Sequence, residues 1–167
     1  TMSLRFKKMS DIFAPSKPKK IKTIENDEAT LQEACNDWME STYPELTELF
    51  YFHAFQGMAF PGRYKFQIIS QAKKLGGLKR NILDFQFNKN NGVYSSLFIE
   101  LKIKSPFLKD GVTLLNDYDS KTGRSHLRDQ QNTINLLLIE GHYACFAWSF
   151  DMFKAIVKNY MEGNKFS

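Results

Sequence analysis

Cysteine is nearly absent from this chain. Only Cys35 and Cys145 occur in 167 residues, far apart and outside any CxxC or His-rich spacing. That excludes a zinc site of the usual Cys/His kind. Two buried thiols in a reducing compartment are the expectation instead. Long apolar runs are also missing, so nothing in the chain is expected to span a bilayer. The basic start is not followed by the apolar stretch that a secretory signal needs. The expectation is therefore a cytoplasmic protein with no membrane partner. No internal repeat is found.

What is there starts with charge. Lysine and arginine number 23 against 18 acids, a formal net charge of +5, with a pI near 9.1. That balance permits a polyanionic partner without establishing one. Lys17, Lys19, Lys20 and Lys22 cluster around Pro15 and Pro18, so residues 1–26 read as a basic, flexible leader. Its first residues, Thr1 to about Arg5, are compatible with a vector-derived remnant. Residues 27–163 fit one domain with enough length to bury a core, and core packing accounts for the 14% aromatic content.

From Asp27 the pattern turns helical, with Leu31, Ala34, Cys35, Trp38 and Met39 recurring at three and four, until Tyr43 and Pro44 end it. Leu46 to Phe55 reads as a strand carrying Tyr51 and His53. Arg63 to Leu75 reads as a helix with Phe66, Ile69 and Ala72 inward, capped by Gly76 and Gly77. Two strands follow around Asp84 and Glu100, then a long polar loop from Ser105 to about Ser125, a length more often functional or disordered than decorative. Leu127 to Glu140 is a helix with Ile134, Leu137 and Leu138 on one face and Gly141 beyond its end. Tyr143 to Phe150 reads as a buried strand, and Asp151 as the N-cap of a last helix, Met152 to Met161. The order is α-β-α-β-β-α-β-α, an α/β (mixed α+β) fold with a mixed sheet flanked by helices.

The chemistry concentrates in the two central strands. Ile82 to Phe87 and Leu97 to Lys102 are apolar runs with alternating insertions, and residues 88–92 between them are turn formers, so a β-hairpin is predicted. Alternation places Leu97, Ile99 and Leu101 on one face and Phe98, Glu100 and Lys102 on the other. On the first strand it groups Leu83, Phe85 and Phe87 against Ile82, Asp84 and Gln86. A turn centred near Gly92 sets Asp84 directly opposite Glu100. Facing like charges destabilise a sheet, whereas a divalent cation would reward them. Asp84 and Glu100 offer oxygens to a hard cation such as Mg²⁺ or Mn²⁺, and the Leu101 carbonyl could add one more. Lys102, two residues beyond Glu100 on the same face, could orient an attacking water or stabilise a phosphorane. The bland alternative is an exposed hairpin face with a Glu-Lys pair worth under about 1 kcal/mol. Spacing alone does not separate the two.

These residues resemble the PD-(D/E)XK nuclease signature, with Asp84 in the first acidic position and Glu100-Leu101-Lys102 as its ExK. The wider chain, roughly Glu28 to Met161, resembles the virus-type replication-repair nuclease (VRR-NUC) branch, common in phages. Glu28 to Gln32 is similar to the family's opening-helix motif, Phe52 to Gln56 falls at its His-hydrophobic-Pro-Asn, and Lys74-Leu75-Gly76 is similar to its Lys-x-Gly. Gly123-Arg124 to Gln130, then Gly141-His142-Tyr143, resemble its late Gln helix and Gly-Tyr strand. Two departures stand out. Asn81-Ile82-Leu83 replaces the family's Gly-Val-Pro, and the Pro-Asn after His53 is missing, so His53 is not taken as catalytic.

The resemblance implies a restriction-endonuclease-like core and a Mg²⁺- or Mn²⁺-dependent DNA endonuclease. Asp84, Glu100, Glu28 and the Leu101 carbonyl would hold metal, with Glu33 the competitor of Glu28. Lys102 would act on water or the transition state. Gln130, or its neighbour Gln131, would support the site. Lys73, Lys74, Lys79, Arg80, Arg124 and Arg128 would track phosphates, or are ordinary solvated surface. Related stand-alone proteins suggest branched DNA such as Holliday junctions or flaps, a homodimer, and the cytoplasm of a bacterium or a phage host. The rival is a catalytically inactive nucleic-acid-binding module of the same fold. A protein-protein adaptor is a third reading.

Overall fold

The computed structural model describes residues 27–52, Ser70, Lys74 and residues 82–166, and for residues 47–52 the backbone alone. The basic leader, His53, Lys73, Lys79, Arg80 and the Gly76–Gly77 cap lie outside the described residues. So does most of the helix expected over 63–75, of which Ser70 and Lys74 are helical and exposed.

Helix α1, Glu28–Thr42, opens on Asp27, whose carboxylate accepts the Ala29 amide. Leu31, Cys35 and Met39 recur every four residues and form its buried stripe. Pro44 lacks an N–H to continue the helix. The chain tightens instead into a 3₁₀ turn, Pro44–Leu49, before strand β1, Phe50–Phe52. The strand expected from Leu46 therefore starts later: the Leu46 amide bonds the Tyr43 carbonyl, and its side chain turns into the core.

Strands β2 (Phe85–Phe87) and β3 (Leu97–Leu101) form the hairpin, with Phe85 opposite Ile99 and Phe87 opposite Leu97. The Asn91 carboxamide accepts the Val93 and Tyr94 amides, and Gly92 takes φ +90°, which closes the turn. In the loop that follows, β4 (Tyr118–Asp119) and β5 (Arg124–Ser125) pair as a small ribbon. Helix α2 spans His126–Ile139, β6 Tyr143–Ala147 and α3 Phe150–Met161. The main sheet runs β1-β2-β3-β6, antiparallel except for the parallel β3–β6 pair.

The sheet divides two apolar layers. Leu97, Ile99, Leu101, Phe85, Phe87 and Ala147 pack with α1 and α3, where Phe153 sits against Phe85 (4.9 Å between ring centroids) and Trp38 (6.1 Å). Ala144 and Phe146 pack on the other face with Ile134 of α2.

Four further details differ from the sequence reading. Leu83 does not share the face of Phe85 but packs with Ile134, Ala144 and Phe146. Regular pairing starts at Phe85, so alternation does not reach back to Leu83. Leu138 is 42% exposed, whereas Ile134 is buried and Leu137 packs beside it. The buried strand ends at Ala147, not Phe150. Ser149, not Asp151, caps the last helix, accepting the Met152 amide at 3.1 Å. Ser149 takes the extended cap conformation, and Asp151 falls in the first turn, where its charge favours the helix dipole.

Candidate active site

The hairpin register, continued one residue past Phe85↔Ile99, sets Asp84 beside Glu100. Asp84 sits in a bend just before β2, and its Oδ2 accepts the Leu101 amide at 2.7 Å. Its carboxylate thereby takes a hydrogen bond that a regular ladder would give to a backbone carbonyl. Glu100 lies in a strand flanked on both sides and points toward the α2 layer, which leaves it 3% exposed. Lys102 follows β3, its amide bonded to the Ala147 carbonyl at 2.8 Å. That contact extends the strand by one residue and returns the side chain to the side of Glu100. Its Nζ lies 2.7 Å from Glu100 Oε1 and 3.3 Å from Glu28 Oε1. Glu28 comes from the first turn of α1 and is the open side of the group, 48% exposed. Gln130, 4% exposed on α2, donates through Nε2 to Glu100 Oε1.

Three elements thus converge on one acidic group. Carboxylate oxygens of Glu28, Asp84 and Glu100 lie within 4.8 Å of one another. Among the described residues one ammonium faces these three carboxylates. Burial pushes the Glu100 carboxyl up to about 7, and the neighbouring Asp84 adds to the rise. Burial likewise raises Asp84 to about 6, against the opposing pull of the Leu101 N–H and Lys102. Burial alone would lower the pKa of Lys102, but Glu100, Glu28 and Asp84 outweigh it and hold the ammonium charged. Glu100 Oε2 and Gln130 Oε1 are buried and have no hydrogen-bond partner among the described residues. Such oxygens cost free energy unless something polar or cationic meets them.

Other candidates fall elsewhere. Glu33 is exposed on α1 and is not part of the acidic group. Gln131 donates to Asn135 along the helix surface at 2.9 Å. The Leu101 carbonyl, by contrast, projects to the side of Asp84, where its own N–H bonds that carboxylate, since both groups of a strand residue project together. Arg124 on β5, Arg128 in the first turn of α2 and Lys74 are exposed and outside the acidic group.

Two side chains escaped the sequence reading. His126 Nε2 lies 3.3 Å from Gln130 Nε2. The signal was its four-residue spacing from Gln130, hidden because the helix was expected to begin at Leu127. Asp117 holds the start of α2, accepting from the Ser125 hydroxyl and from the Leu127 amide at 2.7 Å. It is an acid ten residues distant in sequence from the amide it binds, beyond any local motif.

A solved structure described as a VRR_NUC domain protein aligns with 84% of this chain and 92% of its own, at 20% identity and a TM-score of 0.52. The chain has the fold of a VRR_NUC domain protein. At that identity the likeness is one of fold. No family model and no curated protein matches the chain. In this VRR_NUC-type fold the acidic group stands where the β2–β3 hairpin, α1 and α2 meet. No helix among the described residues is long and apolar enough to cross a membrane.

Proposed function

We propose that this protein is a divalent-metal-dependent nuclease of the PD-(D/E)XK type that hydrolyses phosphodiester bonds in DNA. The observation that carries it is the acidic group of Glu28, Asp84 and Glu100, two of them buried, with Lys102 as the one ammonium beside them among the described residues. Two raised carboxyls side by side are costly in a merely structural role. The donor set is all oxygen, which suits Mg²⁺ or Mn²⁺ rather than a softer metal. The unpartnered Glu100 Oε2 is a ready ligand atom. Asp84, Glu100, Glu28 and the Leu101 carbonyl would hold the cation.

When bound, such a cation supplies Lewis acidity toward a phosphodiester oxygen and offsets charge gathering on the phosphate. Every other contribution comes from the chain. Lys102 brings a fixed positive charge to the acids, placed to orient an attacking water or to stabilise the anionic transition state. Glu28 is the most exposed of the three acids and faces incoming substrate. The Gln130 amide holds one oxygen of Glu100 and leaves the other free to act. Lys74, Lys79, Arg80, Arg124 and Arg128 would track the DNA backbone, giving salt-sensitive binding. The substrate we favour is branched DNA, a Holliday junction or flap, cut by a homodimer in the cytoplasm of a bacterium or phage host.

The test is cleavage of branched, flapped and linear DNA in Mg²⁺, in Mn²⁺ and in EDTA, by the wild type, Asp84→Ala and Lys102→Ala. Metal-dependent cutting lost in both variants supports the reading. Binding of every substrate with cutting of none points instead to a silent nucleic-acid-binding module.

A further inference from the structure

The geometry points to a second nucleic-acid contact beside the acidic group: we infer that the β4–β5 ribbon is a stacking site for an unpaired base, with Tyr118 as its platform. This rests on the nuclease reading only in taking DNA as the partner.

Among the described side chains Tyr118 is the only exposed aromatic, at 60%, while every other is buried or half-buried. It has no ring partner, and its hydroxyl makes no hydrogen bond among the described residues. Its hydroxyl lies near Gly123 at the ribbon's tip, and most of the side chain is open to solvent. An aromatic that serves the fold is buried. This one is held out.

The ribbon that holds it is a built object rather than a slack loop. Pro106 is buried and Phe107 packs edge-on against Phe146 (5.8 Å) and Trp148 (6.1 Å), which anchors the start of the loop to the sheet. The Asp119 carboxylate accepts the Lys121 amide at 2.9 Å and the Thr122 hydroxyl at 3.0 Å, shaping the tip. Asp117 ties the other end to Ser125 and Leu127 at the start of α2. Both acids therefore spend their oxygens on local hydrogen bonds. The cations do not: Lys121, Arg124 and Arg128 are exposed and in no ion pair among the described residues. Arg124 stands opposite Asp119 across the ribbon and still makes no pair with it.

Free cations around an exposed aromatic ring are what a single nucleic-acid strand needs, phosphates on the former and a base on the latter. Position fits as well. β5 leads straight into α2, and five residues beyond Ser125 Gln130 touches Glu100. A base on Tyr118 would belong to a strand that passes the acids, so the platform would select DNA with unpaired nucleotides near the cut.

The test is anisotropy of a labelled oligothymidylate of about 15 nucleotides and of a duplex of equal length. Both are titrated in EDTA with wild type, Tyr118→Ala and Tyr118→Phe, so that cleavage plays no part. Tyr118→Ala should weaken oligothymidylate binding about tenfold, at the lower end for loss of one stacked base, and leave duplex binding unchanged. Tyr118→Phe should bind both like wild type. Equal oligothymidylate affinity in wild type and Tyr118→Ala overturns the inference, as does a parallel loss on both DNAs. Failure to cut in Mg²⁺ would sink the nuclease reading and leave this binding result standing. Melting curves should coincide for all three proteins because the side chain is exposed.

Discussion

Glu100→Gln should make the metal-free protein more stable at alkaline pH while destroying its chemistry. The amide keeps the shape of the carboxyl and still accepts from Lys102 and Gln130, but it never ionises. In the wild type the Glu100 carboxyl titrates near 7 in the folded chain, against an ordinary value of 4.5. An acid raised by folding binds its proton more tightly in the native state, so stability falls as pH rises from the unfolded value through the folded one. The gap corresponds to roughly 3 kcal/mol, fully expressed above about pH 7 and nearly absent below about pH 5. Asp84, raised toward 6, steepens the same decline in the same direction.

In a chain of this size about 3 kcal/mol is roughly 5 to 10 °C of melting temperature. Thermal unfolding followed by circular dichroism in EDTA at pH 5 and pH 8 reads it directly. Glu100→Gln should melt well above wild type at pH 8 and close to it at pH 5. A variant less stable than wild type at pH 8, or an offset equal at both pH values, would refute the argument that the carboxylate is buried at a cost.

Other outcomes follow from the same geometry. Mn²⁺ at about a hundredfold excess over its dissociation constant should stabilise the wild type by roughly 3 kcal/mol, and a calorimetric titration of Asp84→Asn/Glu100→Gln should show no such site. Lys102→Met should lower the cleavage rate about 10²-fold, the scale of losing one charge-stabilising donor, with DNA affinity changed by less than threefold in a binding assay. Ser125→Ala removes the cap that accepts the Arg128 amide at 3.1 Å and bonds Asp117. It should cost about 1 kcal/mol in urea unfolding.

Much of this architecture was legible because it rests on local rules. The hairpin register followed from the turn at Gly92, so the facing of Asp84 and Glu100 could be read from alternation alone. The stripe of α1 was equally plain, since Leu31, Cys35 and Met39 fall on a single face. What was hidden depends on partners far along the chain. Nothing near Tyr143 reveals that β6 lies parallel to β3, which is what buries Glu100 from both sides. Leu83 changes layers because it precedes the pairing, and local alternation carries no record of where pairing begins. Leu138 reads as core by period but faces solvent, because the apolar contacts of α2 among the described residues run through Ile134 and Leu137. The ribbon in the long loop was missed for a related reason: each of its strands is two residues long, too short for any periodicity. Its fold is set by Asp117 and Asp119 reaching backbone amides.

The central claim is that the acids at the hairpin hold a divalent cation for phosphodiester hydrolysis. The initial rate of cleavage of a branched DNA in Mg²⁺, wild type against Glu100→Gln at equal DNA occupancy, tests it most directly. The account expects cutting by the wild type that EDTA abolishes, and none by the variant. Equal rates for the two proteins, or wild-type cutting that persists in EDTA, would contradict it.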